Sequence, residues 1–166
     1  MGIVRMAATR GIIPAGMKVS ELRSMVVRLT TETARVLDER FGNEGLEAAS
    51  EIFRRLGEED AQTLSERLSL GISVRDAMDA WQVLANIMGA KAHVRWVSET
   101  RGEVDHSFCP QYESFKKHRN IYCEHACLPY VEAVAEGIGK GVKMEVMRPA
   151  DSEGECVKAL VYSAED

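Results

Sequence analysis

Four cysteines, Cys109, Cys123, Cys127 and Cys156, all fall in the C-terminal third of the chain. Such clustering points to one shared centre more than to scattered core thiols. Two of them stand beside prolines suited to open a helix, in Cys109-Pro110 and Cys127-Leu128-Pro129. Proline fits the first helical turn, where a backbone N–H lacks a partner anyway. A cysteine at that mouth meets unpaired N–H groups and the positive end of the helix dipole, and both favour its thiolate. Thiolate is the form that binds soft metals and attacks carbon. The centre therefore reads as reactive or metal-binding.

The spacing C-x13-C-x3-C-x28-C departs from the short C-x2-C pairs of zinc ribbons. All-sulfur ligation selects zinc or an iron–sulfur cluster over hard cations. Cys109, Cys123, Cys127 and Cys156 are thus the candidate metal ligands, with His125 able to replace one. The competing account is four small buried hydrophobes, a common fate of free cysteine. Cys156 is the uncertain fourth arm, because its strand has two apolar faces. Around the thiols, Glu124 and Glu132 are candidate general bases. His106 alternates with Val104 and Phe108 and could point inward, or sit half-exposed on its strand. Glu145 and Arg148 could pair with each other or bind a carboxylate. His93 and His118 read as surface residues. The chain has no Gly-rich phosphate loop, nucleophile elbow or HExxH motif.

The elements that must position these residues divide the chain in two. Leu22, Met25, Val26, Leu29, Thr33, Val36, Leu37 and Phe41 recur at three- and four-residue steps. They predict a long amphipathic helix from an N-cap at Ser20 to a stop at Gly42. A second helix carries Leu46, Ala49, Ile52, Phe53 and Leu56 and is expected to break at Gly57. The acidic run Glu58-Glu59-Asp60 suits the first turn of a short third helix. Ser73 with Asp76 resembles a capping box opening another helix, closed by Gly89. From Ala92 the period changes to strict alternation, predicting a hairpin that turns at Gly102. Two short helices follow, near Gln111 to Lys117 and Pro129 to Ile138. Two further strands then run through Val142 to Met147 and Glu155 to Tyr162.

The fold class expected is α+β: an N-terminal helical half packed with a C-terminal four-stranded, mostly antiparallel sheet carrying two inserted helices. Residues 1–17 read as an arm suited to pack on a partner subunit, and 18–166 as one domain, with helices over 18–89 and the sheet unit over 90–166. With 166 residues and 45% hydrophobic content, one sizeable core is feasible. A net charge of −5 argues against a nucleic-acid or anionic-membrane partner. No apolar run approaches the length of a membrane span, and residues 1–17 lack a signal-peptide core. A cytoplasmic, reducing location is expected, with free or metal-bound thiols. A small-molecule ligand and a homodimer complete the expected partners.

Three short stretches together look familiar: Phe108-Cys109-Pro110, Tyr122-Cys123-Glu124-His125-Ala126-Cys127 and Gly154-Glu155-Cys156-Val157. They resemble the L-2-amino-thiazoline-4-carboxylic acid hydrolase-like family. In that family a Cys-Pro step precedes a short helix, further cysteines open the next helix, and a Gly-acid-Cys step starts the last strand. Phe41-Gly42-Asn43-Glu44-Gly45 and Ile87-Met88-Gly89 look similar as well, so the likeness runs from Ser20 to Tyr162. It shades into the 4-vinyl-reductase-type small-molecule-binding domains. The resemblance implies a hydrolase opening a cyclic amidine-like ring at a C–N bond. Cys109, Cys123, Cys127 and Cys156 match the motif positions of that family. From this chain's own residues Cys127 is the candidate nucleophile with Glu124 as base, and His106, His125 and Arg148 are the candidates to hold substrate or cofactor. The alternative is a non-catalytic sensor or carrier that binds zinc or an iron–sulfur cluster.

Overall fold

The computed structural model describes residues 11–163. Proposals about the first ten residues of the arm lie outside them. Helix α1 (Ala15–Phe41) starts directly after Pro14, five residues ahead of the expected cap at Ser20. The low helix propensity of Gly16 does not prevent that start, which Pro14 delimits. The helix ends at Gly42, whose φ of 59° turns the chain into α2 (Asn43–Leu68).

Helix α2 is unbroken through Gly57, which corrects the expected division into two helices. Gly57 is there for space. A Cβ on it would lie 2.4 Å from the Tyr130 carbonyl oxygen and 2.9 Å from Ala133 Cβ. Both neighbours belong to α5 (Cys127–Ile138), where Gly137 in turn faces Ala61 Cβ, at 2.6 Å from its own missing Cβ. Two glycines thus let α2 and α5 cross closely. Tyr130 reinforces the crossing by donating to Asp60 at 2.6 Å.

Helix α3 (Val74–Met88) opens with the capping box read from the sequence: Ser73 caps the Asp76 N–H, and the Asp76 carboxylate accepts from the Ser73 N–H at 2.9 Å. The Ser73 hydroxyl, which also donates to that carboxylate, and then the Ser73 and Gly71 N–H groups hold the Asp76 carboxyl below its usual range. Its buried face, Ala77, Met78, Ala80 and Trp81, lies under the sheet. Ile87, near its end, is exposed.

The sheet consists of β1 (Lys91–Ser98), β2 (Arg101–Phe108), β3 (Val142–Arg148) and β4 (Val157–Tyr162). Its order is β1-β2-β4-β3, and every neighbouring pair is antiparallel. The first hairpin turns at Glu99–Thr100 rather than at Gly102, which pairs within β2 opposite Trp96. There Gly102 makes room for Met78 and the Trp96 ring. Between the hairpins lie α4 (Pro110–Lys117), a one-turn 3-10 segment (Cys123–His125) and α5.

One face of the sheet covers α3 and α5. The other carries a row of charge across all four strands: Arg95 bonds Glu103, and Arg101 reaches from Glu103 over the fully buried Ala159 to Glu145 at 2.7 Å. Glu145 is therefore committed to Arg101, on the side away from the thiols. No helix among the described residues is long and apolar enough to cross a membrane.

The α2–α5 crossing supplies a direct stability test. Gly57→Ala drives a methyl against backbone, a misfit typically costing about 1–3 kcal/mol. Thermal or denaturant unfolding should show that loss. An equal substitution at exposed Gly16, with open space around its Cβ, should not destabilise.

Candidate thiol centre

Cys109 is the residue before α4, and Pro110 is the first helical residue. A buried polar knot fixes this short helix on α1. Gln111 donates to Thr31 Oγ1 at 2.8 Å, and Thr31 Oγ1 shares a 2.8 Å bond with Ser114 Oγ. Cys123 begins the 3-10 turn and Cys127 is the first residue of α5. Both belong to a small core with Ala34, Ala49, Phe53, Phe115, Tyr122 and Ala126. That core is anchored by Tyr122, whose hydroxyl donates to Asp38 at 2.9 Å.

The segment before β4 is sewn onto the start of α4. Tyr112 donates to the Asp151 carbonyl at 2.8 Å, and Arg148 holds the Glu155 carbonyl at 2.9 Å. Glu155 Oε1 accepts from the Cys109 N–H at 3.0 Å. These contacts deliver Cys156, and β4 settles which way it points. Lys158 and Leu160 alternate with it on the helix-covered face, and all three are buried. Cys156 therefore faces the other cysteines.

The four thiols form one electrostatic neighbourhood. Cys123 interacts with Cys109, Cys127 and Cys156, and Cys109 also with Cys127. The Lys158 amine acts on all four. Lys158 is only 6% exposed, its Nζ lies 5.2 Å from the Trp81 ring centroid, and no carboxylate among the described residues pairs with it. The side-chain alternation that runs into β4 is legible in the sequence, where Lys158 stands between Cys156 and Leu160. A lysine in an otherwise apolar stripe is the signal for a residue that the cysteine spacing does not reveal.

The thiols are not equivalent. The hydrogen bond from the Cys127 thiol pulls Cys123 below the ordinary cysteine value despite burial, with Lys158 assisting. Cys127, the donor in that bond, is raised well above it by the same contact and then by burial. Burial raises Cys109, although the Gln111 and Tyr112 N–H groups favour its thiolate. Burial also raises Cys156, against the pull of Lys158. The expectation that helix mouths make Cys109 and Cys127 the thiolates is thus corrected: burial outweighs the dipole at Cys109, and at Cys127 the bond with Cys123 and then burial do. Cys123, in the turn, is the favoured anion.

His106 lies on the same inner face. Val104 pairs with Lys158, so His106 and Cys156 stand at the adjoining step. Burial and then Lys158 push His106 down to about 4, and its Nδ1 is buried without a hydrogen-bond partner. The other candidates are placed elsewhere. His125 Nδ1 bonds Ser50 Oγ at 3.2 Å on α2. Glu124 is exposed, close enough to act on Cys123 but facing solvent. Glu132 pairs with Arg54 at 3.2 Å. Arg148 is exposed and engaged with the Glu155 backbone. His93 and His118 are on the surface. As the side chains lie, no three His, Cys, Asp or Glu among the described residues form a metal-holding group. A groove of about 510 Å³ between α2 and α5, lined by Arg54, Glu58, Gln62 and Gly137, contains no cysteine.

No family model, curated protein or solved structure matches the chain. The chemistry of the centre rests on its own geometry: a soft donor set, one favoured thiolate, an adjacent thiol donor and a buried cation.

Two measurements check these electrostatics. Iodoacetamide labelling across pH, read by peptide mapping, should modify Cys123 at the lowest pH, and Cys127→Ala should shift that onset upward. His106 is neutral when folded and takes its proton near pH 6.5 when unfolded. Metal-free protein should therefore keep its full stability above that pH and lose up to about 3 kcal/mol as pH falls to about 4. His106→Leu should flatten that loss in denaturant titrations.

Proposed function

We propose that the chain is a small-molecule domain whose working part is a thiolate centre that holds a soft metal, zinc or an iron–sulfur cluster, through Cys109, Cys123, Cys127 and Cys156. The observation that carries this reading is the convergence of four cysteines from separate segments beside Lys158, whose amine has no carboxylate partner among the described residues. A buried cation costs several kcal/mol unless matched by negative charge. Thiolates are the anions within its reach, and a metal bound by four of them leaves a net negative centre that Lys158 offsets. When bound, the metal supplies a structural clamp or a Lewis acid. The protein's own residues hold it, balance its charge and keep water out. Free thiols of this kind suit a reducing, cytoplasmic setting.

A second reading is favoured by one observation, the lowered Cys123 thiol. Cys123 can add to the amidine carbon of a thiazoline while the C=N nitrogen takes the electron pair and the Cys127 proton. Collapse then breaks the ring C–N bond, the amine leaves, and water releases the carbon from Cys123, the ring opening that the hydrolase-like resemblance suggests. Cys123 then takes the nucleophile's role assigned from sequence to Cys127.

Anaerobic purification followed by metal and sulfide analysis tests the first reading. Near-stoichiometric zinc, or iron with sulfide and a visible absorption band, is expected, and Cys123→Ser should abolish it. Metal-free protein with four titratable thiols, refractory to zinc or to cluster reconstitution, would overturn it. Turnover of 2-aminothiazoline-4-carboxylate by metal-free protein, lost in folded Cys123→Ser, would establish the second.

A further inference from the structure

Helix α1 carries two apolar stripes. One, with Val27, Thr31, Ala34 and Leu37, packs on the body of the protein. The other is uncovered: Val19, Leu22, Met25, Val26, Leu29 and Val36 are 46, 60, 56, 47, 69 and 38% exposed. Val19, Leu22, Val26, Leu29, Thr33 and Val36 follow one another at alternating steps of three and four. That is the a/d seam of a two-stranded coiled coil, with β-branched residues at one position and mostly leucine at the other. It spans about 26 Å of helix. A seam needs a second helix of the same period, and a second copy of this chain supplies one with identical spacing.

Flanking charges choose the direction. In a parallel pair Lys18 would meet the partner's Arg23. Arg23 cannot swing aside, because it donates to the Asn86 carbonyl at 2.9 Å and to that of Ile87. In an antiparallel pair Lys18 instead meets the partner's Glu39, and the twofold axis repeats the contact. The core layers then match Val19 with the partner's Val36, Leu22 with the partner's Thr33, and Val26 with the partner's Leu29. We propose that the chain forms an antiparallel homodimer through the exposed Val19–Val36 stripe of α1, aligned by Lys18 against the partner's Glu39.

Light scattering or sedimentation of the full chain, down to low micromolar concentration, tests this. Wild type should have twice the monomer mass, and Leu22→Glu/Leu29→Glu should be monomeric with an unchanged helical signal. Lys18→Glu should weaken the dimer about tenfold, and adding Glu39→Lys should restore it. A monomeric wild type at about 100 µM, with residues 1–10 or another partner left to cover the stripe, would overturn the proposal. So would a dimer that survives both glutamates. A dimer tightened by Lys18→Glu would overturn the antiparallel order. The charge variants lie on the surface, so they decide the matter even where the double glutamate fails to fold.

Discussion

The close crossing of α2 and α5 is the constraint on which the rest of the molecule depends. Gly57 accepts the Tyr130 carbonyl, and Gly137 accepts Ala61, where side chains on both would hold the helices apart. Because α5 is pinned there, its first residue, Cys127, is pinned as well. The 3-10 turn that carries Cys123 is tied to the same helix start. On its other flank α5 presses Val134, Ala135 and Ile138 against α3 and the sheet. The crossing thereby sets the distance between the helix-borne thiols and the inner face of β4. Interiors packed to this density transmit small misfits, so the thiol centre inherits its precision from two absent side chains.

Charge organises the two faces of the sheet in opposite ways. Outside, Arg95, Glu103, Arg101 and Glu145 neutralise one another at the surface, where such pairs contribute little individually. Inside, Lys158 is buried with no carboxylate partner among the described residues, and its field falls on four thiols and His106. A cation there favours negative charge beside it, and Cys123, the thiol held below its ordinary value, is the one most ready to supply it. His106, buried and neutral, adds no further positive charge.

Helices α1 and α2 differ in a way that bears on assembly. The inner face of α2 is buried against α1 and α5, while α1 gives only one of its two stripes to the body of the protein. Its N-terminal half is held mainly by Arg23 at the end of α3, and its C-terminal half by the Thr31–Gln111–Ser114 knot. A helix fastened by polar contacts and still carrying leucines in water has surface left to bury.

The sequence by itself determined much of this protein. Periodicity placed the long helices and the strands, because side-chain direction follows 3.6- and 2-residue repeats whatever the final packing. The Ser73–Asp76 box and Gly42 marked ends for the same local reason. The cysteines' clustering marked the centre. Local pattern failed where a residue's role lies in what approaches it. Gly57 and Gly102 read as a break and a turn, yet they serve close contacts with Tyr130 and Met78. Ionisation failed likewise: proline-marked helix mouths suggested thiolates at Cys109 and Cys127, but burial and the Cys127-to-Cys123 hydrogen bond moved the anion to Cys123. Only the tertiary structure decided that Cys156 faces the other three, that Lys158 stands among them, and that half of α1 is left uncovered. Desolvation and the field of a distant residue depend on packing, and no spacing along the chain encodes them.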